Sequence, residues 1–204
     1  MNQQYLSQSC LWPCDAPVPV VGDVEGGVVY HPGVLPPAQA QHWLHALQAQ
    51  LAWRLQARRM YERVVPVPRL VASVALDDPA RPGLLDEALA AVRQVAPAPY
   101  TRVGLNLYRD GRDSVAMHGD RVQELAPGWP IAILSLGAAR DMLVRPRGGG
   151  PAQRVLLAPG SVLVMSHASQ HTHLHGIPKT TQTVGPRMSL AFRVRRPAPA
   201  HPEA

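Results

Sequence analysis

The side chains best suited to chemistry surround a short H-x-D motif. His118 and Asp120 lie two positions apart on a segment predicted to be extended, so both project to one face and can bind one metal ion. Downstream, the segment HASQHTHLH ends at His175. Two histidines and one aspartate are the facial triad of non-haem Fe(II) sites, which leaves three coordination positions open. The spacing therefore predicts a catalytic metal site.

A second pattern lies near the C-terminus, where RMSLAFR alternates strictly between two faces. One face is apolar, and the other carries Arg187, Ser189 and Arg193. Two inward guanidinium groups are costly unless an anion pairs with them, and a dicarboxylate would offer each arginine a planar partner. The alternative is an edge strand with two solvated arginines. Asn106 and Tyr108 share one side of an earlier predicted strand.

The elements that must position these residues fall into two groups. Apolar residues at helical spacing predict amphipathic helices at about 37–52 and 83–95, with extended chain over 61–76 between them. After Pro99 the period changes to two. Strands are predicted at 101–109, 114–118, 130–136, 141–146, 153–157, 161–166 and 186–195. Helices followed by a run of strands favour the α+β class, with a mainly antiparallel sandwich or jelly roll that could hold a small ligand.

Composition limits the remaining possibilities. The 204 residues fit one domain, and no run of 18 apolar residues exists, so we expect no membrane span. The net charge of +6 comes almost wholly from arginine and is compatible with a nucleic-acid partner. The N-terminus has no basic region before an apolar stretch, so we expect a cytoplasmic protein. We also expect a monomer.

Taken in order, these motifs resemble the AlkB family of Fe(II)- and 2-oxoglutarate-dependent dioxygenases. Between Val29 and Arg195 the resemblance rests on six motifs: Pro68-Arg69-Leu70, Asn106-Leu107-Tyr108-Arg109-Asp110-Gly111, the H-x-D, Ser135-Leu136-Gly137, the His-x-x-Pro-Lys from His175 and the R-x-S-x-x-x-R from Arg187. The family implies a double-stranded β-helix (jelly roll) with the N-terminal helices packed on one sheet. We expect this domain at 29–196, between an N-terminal arm (1–28) and a disordered tail (197–204).

The resemblance also implies roles for the site residues. Fe(II) would be held by His118, Asp120 and His175, where the His-x-x-Pro spacing favours His175 over the neighbouring His173. The cosubstrate 2-oxoglutarate would pair its distal carboxylate with Arg187. The rest of its pocket would come from four residues: Asn106, Tyr108, Ser189 and Arg193. O2 would take the last position on the metal.

The family's usual reaction is hydroxylation of an N-methyl group on a nucleobase, after which formaldehyde leaves and the repaired base remains. This chain departs from the family where base-repairing members carry acidic residues after the H-x-D, because it has Arg121 and Val122. The segment 71–76 replaces a hairpin that belongs to the substrate lid. Two alternatives therefore stay open: an oxygenase of the same type that acts on a protein or small molecule, and a catalytically silent nucleic-acid-binding relative.

Overall fold

The computed structural model describes residues 16–60 and 63–197, and for 56–60 and 63–66 it describes the backbone alone. The helices are α1 (Pro37–Gln50), α2 (Leu84–Val95) and the single turn α3 (Ser169–Thr172), with a 3-10 turn at Val122–Glu124. In the part of the chain so described, no helix has the length and apolar character needed to cross a membrane. Most of the expected tail, and the first half of the expected arm, lie outside the described residues.

Strands are the predominant secondary structure of the described chain. They are β1 (Val18–Val21), β2 (Val28–His31), β3 (Arg54–Met60), β4 (Arg63–Ala75), β5 (Arg102–Tyr108), β6 (Val115–His118), β7 (Ile131–Gly137), β8 (Arg140–Pro146), β9 (Gln153–Leu157), β10 (Val162–Met165), β11 (His173–Ile177) and β12 (Arg187–Arg193). A large sheet has the order β1-β2-β10-β7-β12-β5-β4-β3, and a small sheet has the order β6-β11-β8-β9. Neighbouring strands pair antiparallel throughout both sheets.

Two hydrophobic cores lie on opposite faces of the large sheet. On the outer face, Trp43 and Leu47 of α1 and Leu85 of α2 pack with Leu190 and Phe192 of β12. The inner core fills the space between the two sheets and takes residues from both. This architecture confirms the predicted α+β class and the jelly-roll core with helices packed on one sheet.

The alternation predicted for β12 is present. Its apolar residues Leu190 and Phe192 face the helices, whereas Ala191 belongs to the core between the sheets. Arg187 and Ser189 share that inner face and are buried. The alternative of an edge strand with two solvated arginines is therefore wrong, because β12 lies between β5 and β7.

Elements differ from prediction mainly where apolar alternation is weak. Strand β11 is absent from the predicted strands, because HLHGI places histidines where a core strand would have apolar residues. Strand β1 lies within the expected arm yet pairs with β2, so the packed chain begins ahead of the predicted boundary at Val29. Asp120 lies two residues beyond the end of β6 instead of within a strand. Segment 71–76 largely continues β4 and pairs with β5.

Candidate active site

The predicted metal ligands meet at one end of the small sheet. His118 ends β6 and pairs in register with His175 of β11, and their ring centroids are 4.5 Å apart. The loop after β6 returns Asp120 to the same point, so that ligand atoms of all three side chains lie within 4.8 Å of one another. Within the described residues no second group of this kind forms, and His173 is outside the cluster. The donor set fits a facial Fe(II) site.

Each ligand is prepared for a metal by its surroundings. His118 donates Nδ1–H to the backbone carbonyl of Ala116 at 2.9 Å, which leaves Nε2 for coordination. Burial lowers the pKa of His175 to about 3, so the ring is neutral near pH 7, as a metal ligand must be. The backbone N–H of Asp120 donates to Oε1 of the buried Gln170 at 3.4 Å. The neutral ring of His175 and the hydrogen bonds that orient His118 and Asp120 thus favour metal binding.

Asp120 also links the two sheets. Arg193 of β12 places Nε and Nη2 each 2.8 Å from Oδ2 of Asp120. Burial is the largest single influence and would raise the pKa of Asp120, but the charge and the hydrogen bond of Arg193, together with the neighbouring histidines, outweigh it, so the pKa lies below its ordinary value. The carboxylate is therefore ionised, and because both contacts with Arg193 fall on Oδ2, Oδ1 takes no part in this ion pair and can serve a metal.

Arg187 is a buried cation that is only partly paired. Its side chain is fully buried, Nη2 donates to Oγ of Ser135 at 3.0 Å, and the guanidinium lies 5.1 Å from the centre of the Tyr108 ring. Burial lowers its pKa, yet arginine stays protonated. Among the described residues, Nε and Nη1 have no hydrogen-bond partner. Two orphaned donors on a buried cation fit a carboxylate, so the site suits the distal end of 2-oxoglutarate.

The other predicted pocket residues lie beside Arg187 on two paired strands. Tyr108 is opposite Arg187 and Asn106 is opposite Ser189 in the β5–β12 register. Asn106 donates Nδ2–H to Oγ of Ser189 at 3.4 Å and accepts a hydrogen bond from Nε of Arg69 at 2.7 Å. The structure thus brings Asn106, Tyr108, Arg187 and Ser189 together, whereas Arg193 lies farther along β12 and pairs with Asp120. Contact of these residues with a cosubstrate stays a prediction.

Sequence reasoning missed a second buried arginine in this interior. Arg140 is 3% exposed and donates to the backbone carbonyls of Asp110, Asp113 and Pro178 at 2.6 to 3.0 Å. Its guanidinium is 5.8 Å from the Tyr108 ring. The available signal was a single arginine at the start of a strand whose next inward residues are apolar. Gln170, buried in α3, was missed as well because no motif marks it.

A solvent-open cavity of about 940 Å³ lies beside the metal ligands. His118 and Asp120 form part of its wall, and strands β4 and β5 form another part. Val71 and Ala72, from the segment that replaces the family's lid hairpin, line it as ordinary strand residues. A second cavity lies elsewhere, near His31 and His167.

Comparison with known proteins agrees with this geometry. The family model described as the 2OG-Fe(II) oxygenase superfamily matches residues 78–193, and the chain belongs to that superfamily. Human DNA oxidative demethylase ALKBH2 is 41% identical over 97 residues, which cover 44% of this chain and 37% of that protein. Mouse alpha-ketoglutarate-dependent dioxygenase alkB homolog 3 is 35% identical over 103 residues, or 46% of this chain and 36% of that protein.

These relatives place the chain in the AlkB branch of the superfamily. The matches span less than half the length of either relative. The solved structure of OsALKBH1 aligns with a TM-score of 0.58 and 18% identity, over 82% of this chain and 97% of that one. At that identity the likeness supports the fold. The superfamily is defined by Fe(II) and 2-oxoglutarate, which the triad and Arg187 are suited to hold.

Proposed function

We propose that the protein is an Fe(II)- and 2-oxoglutarate-dependent dioxygenase that demethylates N-alkylated nucleobases in DNA or RNA. The observation that carries the proposal is the meeting of His118, Asp120 and His175 between the same two sheets that enclose Arg187. A triad without a cosubstrate pocket, or a buried arginine without a metal site, would not define this chemistry. Their combination does.

The chain's own residues bind and orient the reactants. His118, His175 and the ionised Asp120 would hold Fe(II), and Arg187 would anchor the distal carboxylate of 2-oxoglutarate through its unpaired donors. When bound, iron, 2-oxoglutarate and O2 together supply the oxidation of a substrate C–H bond. Arg193 keeps Asp120 charged and in place from the opposite sheet. The core between the sheets excludes water from the inner end of this pocket.

A nucleic-acid substrate is supported by the cavity and by the relatives. Hydroxylation of an N-methyl group gives a product that loses formaldehyde, which restores the base. A base reaches a buried metal only after it leaves its stack, and a cavity of about 940 Å³ beside the metal has room for one. Arginines on the cavity wall can hold the flanking phosphates. The names of the curated relatives include a DNA oxidative demethylase.

The test is direct. Single-stranded oligonucleotides that carry 1-methyladenine, 3-methylcytosine or 1-methylguanine are incubated with the protein, Fe(II), ascorbate, 2-oxoglutarate and air, and their masses are measured. We expect loss of one methyl group with the wild type and none with His118→Ala. Arg154→Ala, which changes an exposed arginine away from the cavity, is the control that should stay active. If no methylated base loses its methyl group while metal and cosubstrate bind, the nucleobase proposal is refuted.

A second candidate is an oxygenase of the same type that acts on a protein or small molecule. Arg121 and Val122 favour it, because they stand where base-repairing members have acidic residues. Succinate formation that depends on a non-nucleic-acid substrate would distinguish it. A catalytically silent protein is disfavoured, since a buried Arg187 with two unpaired donors lowers stability and serves no purpose without an anion. The monomeric state and the cytoplasmic location stay predictions.

A further inference from the structure

The cavity wall carries more positive than negative side chains. Six charged side chains line it, four of them arginines and two carboxylates: Arg69, Arg121, Arg193, Arg195, Asp120 and Glu124. Of the two carboxylates, Asp120 is a metal ligand and is already bound by Arg193. Fe(II) and doubly charged 2-oxoglutarate cancel each other when both are present. The wall that a substrate meets is therefore positive with or without them.

The second carboxylate is not available to a substrate either. Glu124 lies in the 3-10 turn after the H-x-D, and it accepts from Nη1 of Arg121 at 2.9 Å and from Nη1 of Arg195. Those two guanidinium groups hold the pKa of Glu124 below its ordinary value. Both carboxylates of the cavity thus have arginine partners, and neither can neutralise an incoming cation without losing one.

Methylated bases differ in what they present to such a wall. In 1-methyladenine and 3-methylcytosine the ring is cationic at neutral pH, and an amino group flanks the methylated nitrogen; 3-methylcytosine has a carbonyl on the other side of that nitrogen, so its charge is what sets it apart. In 1-methylguanine and 3-methylthymine the ring is uncharged, and a carbonyl oxygen flanks that nitrogen. Guanidinium is a donor only, so it pairs with the carbonyl and repels the cation. The cavity chemistry therefore separates the two classes.

We propose that this site selects an uncharged N-methylated base with a carbonyl beside the methylated nitrogen, and that Arg121 sets the preference. The inference rests on the proposed nucleobase demethylase function. Arg121 follows the metal ligand Asp120 directly, and its side chain is 75% exposed and so can turn to a base. Arg193 is tied to Asp120. Arg195 is only 35% exposed, its side chain pairs with Glu124, and its backbone forms a β-bridge with Leu125. Of the arginines near the metal, Arg121 has the greatest freedom to read the substrate.

Contact with a phosphate is the rival role for Arg121, and the two roles predict different results. A phosphate contact carries no base information and supports all substrates alike. A base contact changes the ratio between substrates. A single good arginine contact with a base edge discriminates by about tenfold or more. The ratio is therefore the quantity to measure.

The experiment is a competition in one tube. Two single-stranded oligonucleotides of one sequence, which carry 1-methylguanine or 1-methyladenine at the same position, are treated with the full chain, Fe(II), ascorbate, 2-oxoglutarate and air. Mass spectrometry gives the ratio of the two kcat/KM values. Arg121→Glu is compared with wild type, and Arg154→Glu is the matched control. Arg154 is similarly exposed, at 69%, and also pairs with one carboxylate, but it lies outside the cavity wall.

We expect wild type to favour 1-methylguanine, Arg121→Glu to shift the ratio toward 1-methyladenine by about tenfold, and Arg154→Glu to leave it unchanged. Three results would overturn the inference: a wild-type preference for 1-methyladenine, an equal loss on both substrates in Arg121→Glu, or no change. An equal loss would assign Arg121 to a phosphate. If wild type demethylates neither oligonucleotide while it binds metal and 2-oxoglutarate, the proposed function itself fails, and this inference fails with it.

Discussion

Arg187 should weaken the metal-free fold that contains it, so its replacement by methionine should raise stability and abolish cosubstrate binding together. In Arg187→Met an apolar side chain of similar length replaces a fully buried guanidinium whose Nε and Nη1 are unpaired. Replacing buried charges by apolar side chains typically stabilises by about 1–4 kcal/mol. Ser135 loses its donor, which offsets about 1 kcal/mol. A net gain of up to about 3 kcal/mol in the free energy of unfolding remains.

The same change should be severe for 2-oxoglutarate. Each hydrogen bond to a charged group is worth about 1.5–3 kcal/mol, and two unpaired donors are available to the distal carboxylate. Loss of both weakens binding by at least about 100-fold. Urea unfolding of the metal-free protein gives the stability, and calorimetric titration of the Mn(II)-loaded protein with 2-oxoglutarate gives the affinity.

Arg140 supplies the matched control, since it is also buried but its donors reach three backbone carbonyls. Arg140→Met should therefore destabilise the protein by about 3–5 kcal/mol, because it leaves those carbonyls without a partner. Opposite signs for the two substitutions are the signature of an anion site at Arg187. A loss of several kcal/mol in Arg187→Met with unchanged 2-oxoglutarate affinity would refute this reasoning.

Three further outcomes concern the metal ligands. His118→Ala should lower the affinity for Co(II), followed by visible absorption, by more than about 100-fold, and near-native affinity would exclude His118 as a ligand. Gln170→Leu removes the acceptor for the backbone N–H of Asp120 and should lower the same affinity by about tenfold at little cost in melting temperature. Burial lowers the pKa of His175 from 6.5 to about 3. Between these two pH values the unfolded chain binds a proton at His175 and the folded chain does not. The free energy of unfolding of the metal-free protein should therefore fall as pH drops from 6.5 toward 3, by up to about 1.4 kcal/mol per unit, and His175→Asn should remove this part of the slope.

The sequence predicts this site better than it predicts the strands that carry it. The H-x-D and the RMSLAFR alternation are local patterns, and one face of a strand follows directly from the period of two. The structure accordingly buries Arg187 and Ser189 on one face of β12 and turns Leu190 to the helices. Local pattern and tertiary position agree because β12 lies at the centre of the large sheet.

Other features depend on contacts between distant segments, which no local pattern encodes. Strand β11 carries a ligand where alternation would require an apolar residue, so its sequence does not resemble a strand. The ion pair of Arg193 with Asp120 joins residues 73 positions apart in sequence. Arg140 is satisfied by carbonyls of three separate loop positions, which only the folded chain brings together.

The ion pair between Arg193 and Asp120 gives the metal-ligating carboxylate a counter-ion that does not depend on the metal. Both guanidinium contacts fall on Oδ2, so the carboxylate keeps one oxygen for iron and loses little electrostatic support when iron leaves. With Arg193 as its counter-ion, Asp120 does not repel neighbouring groups or draw additional water into the site. The ion pair joins β12 of the large sheet to the loop after β6 of the small sheet, so metal binding needs no rearrangement of the two sheets. Loss and return of a metal should therefore change the charge of this site without changing its shape.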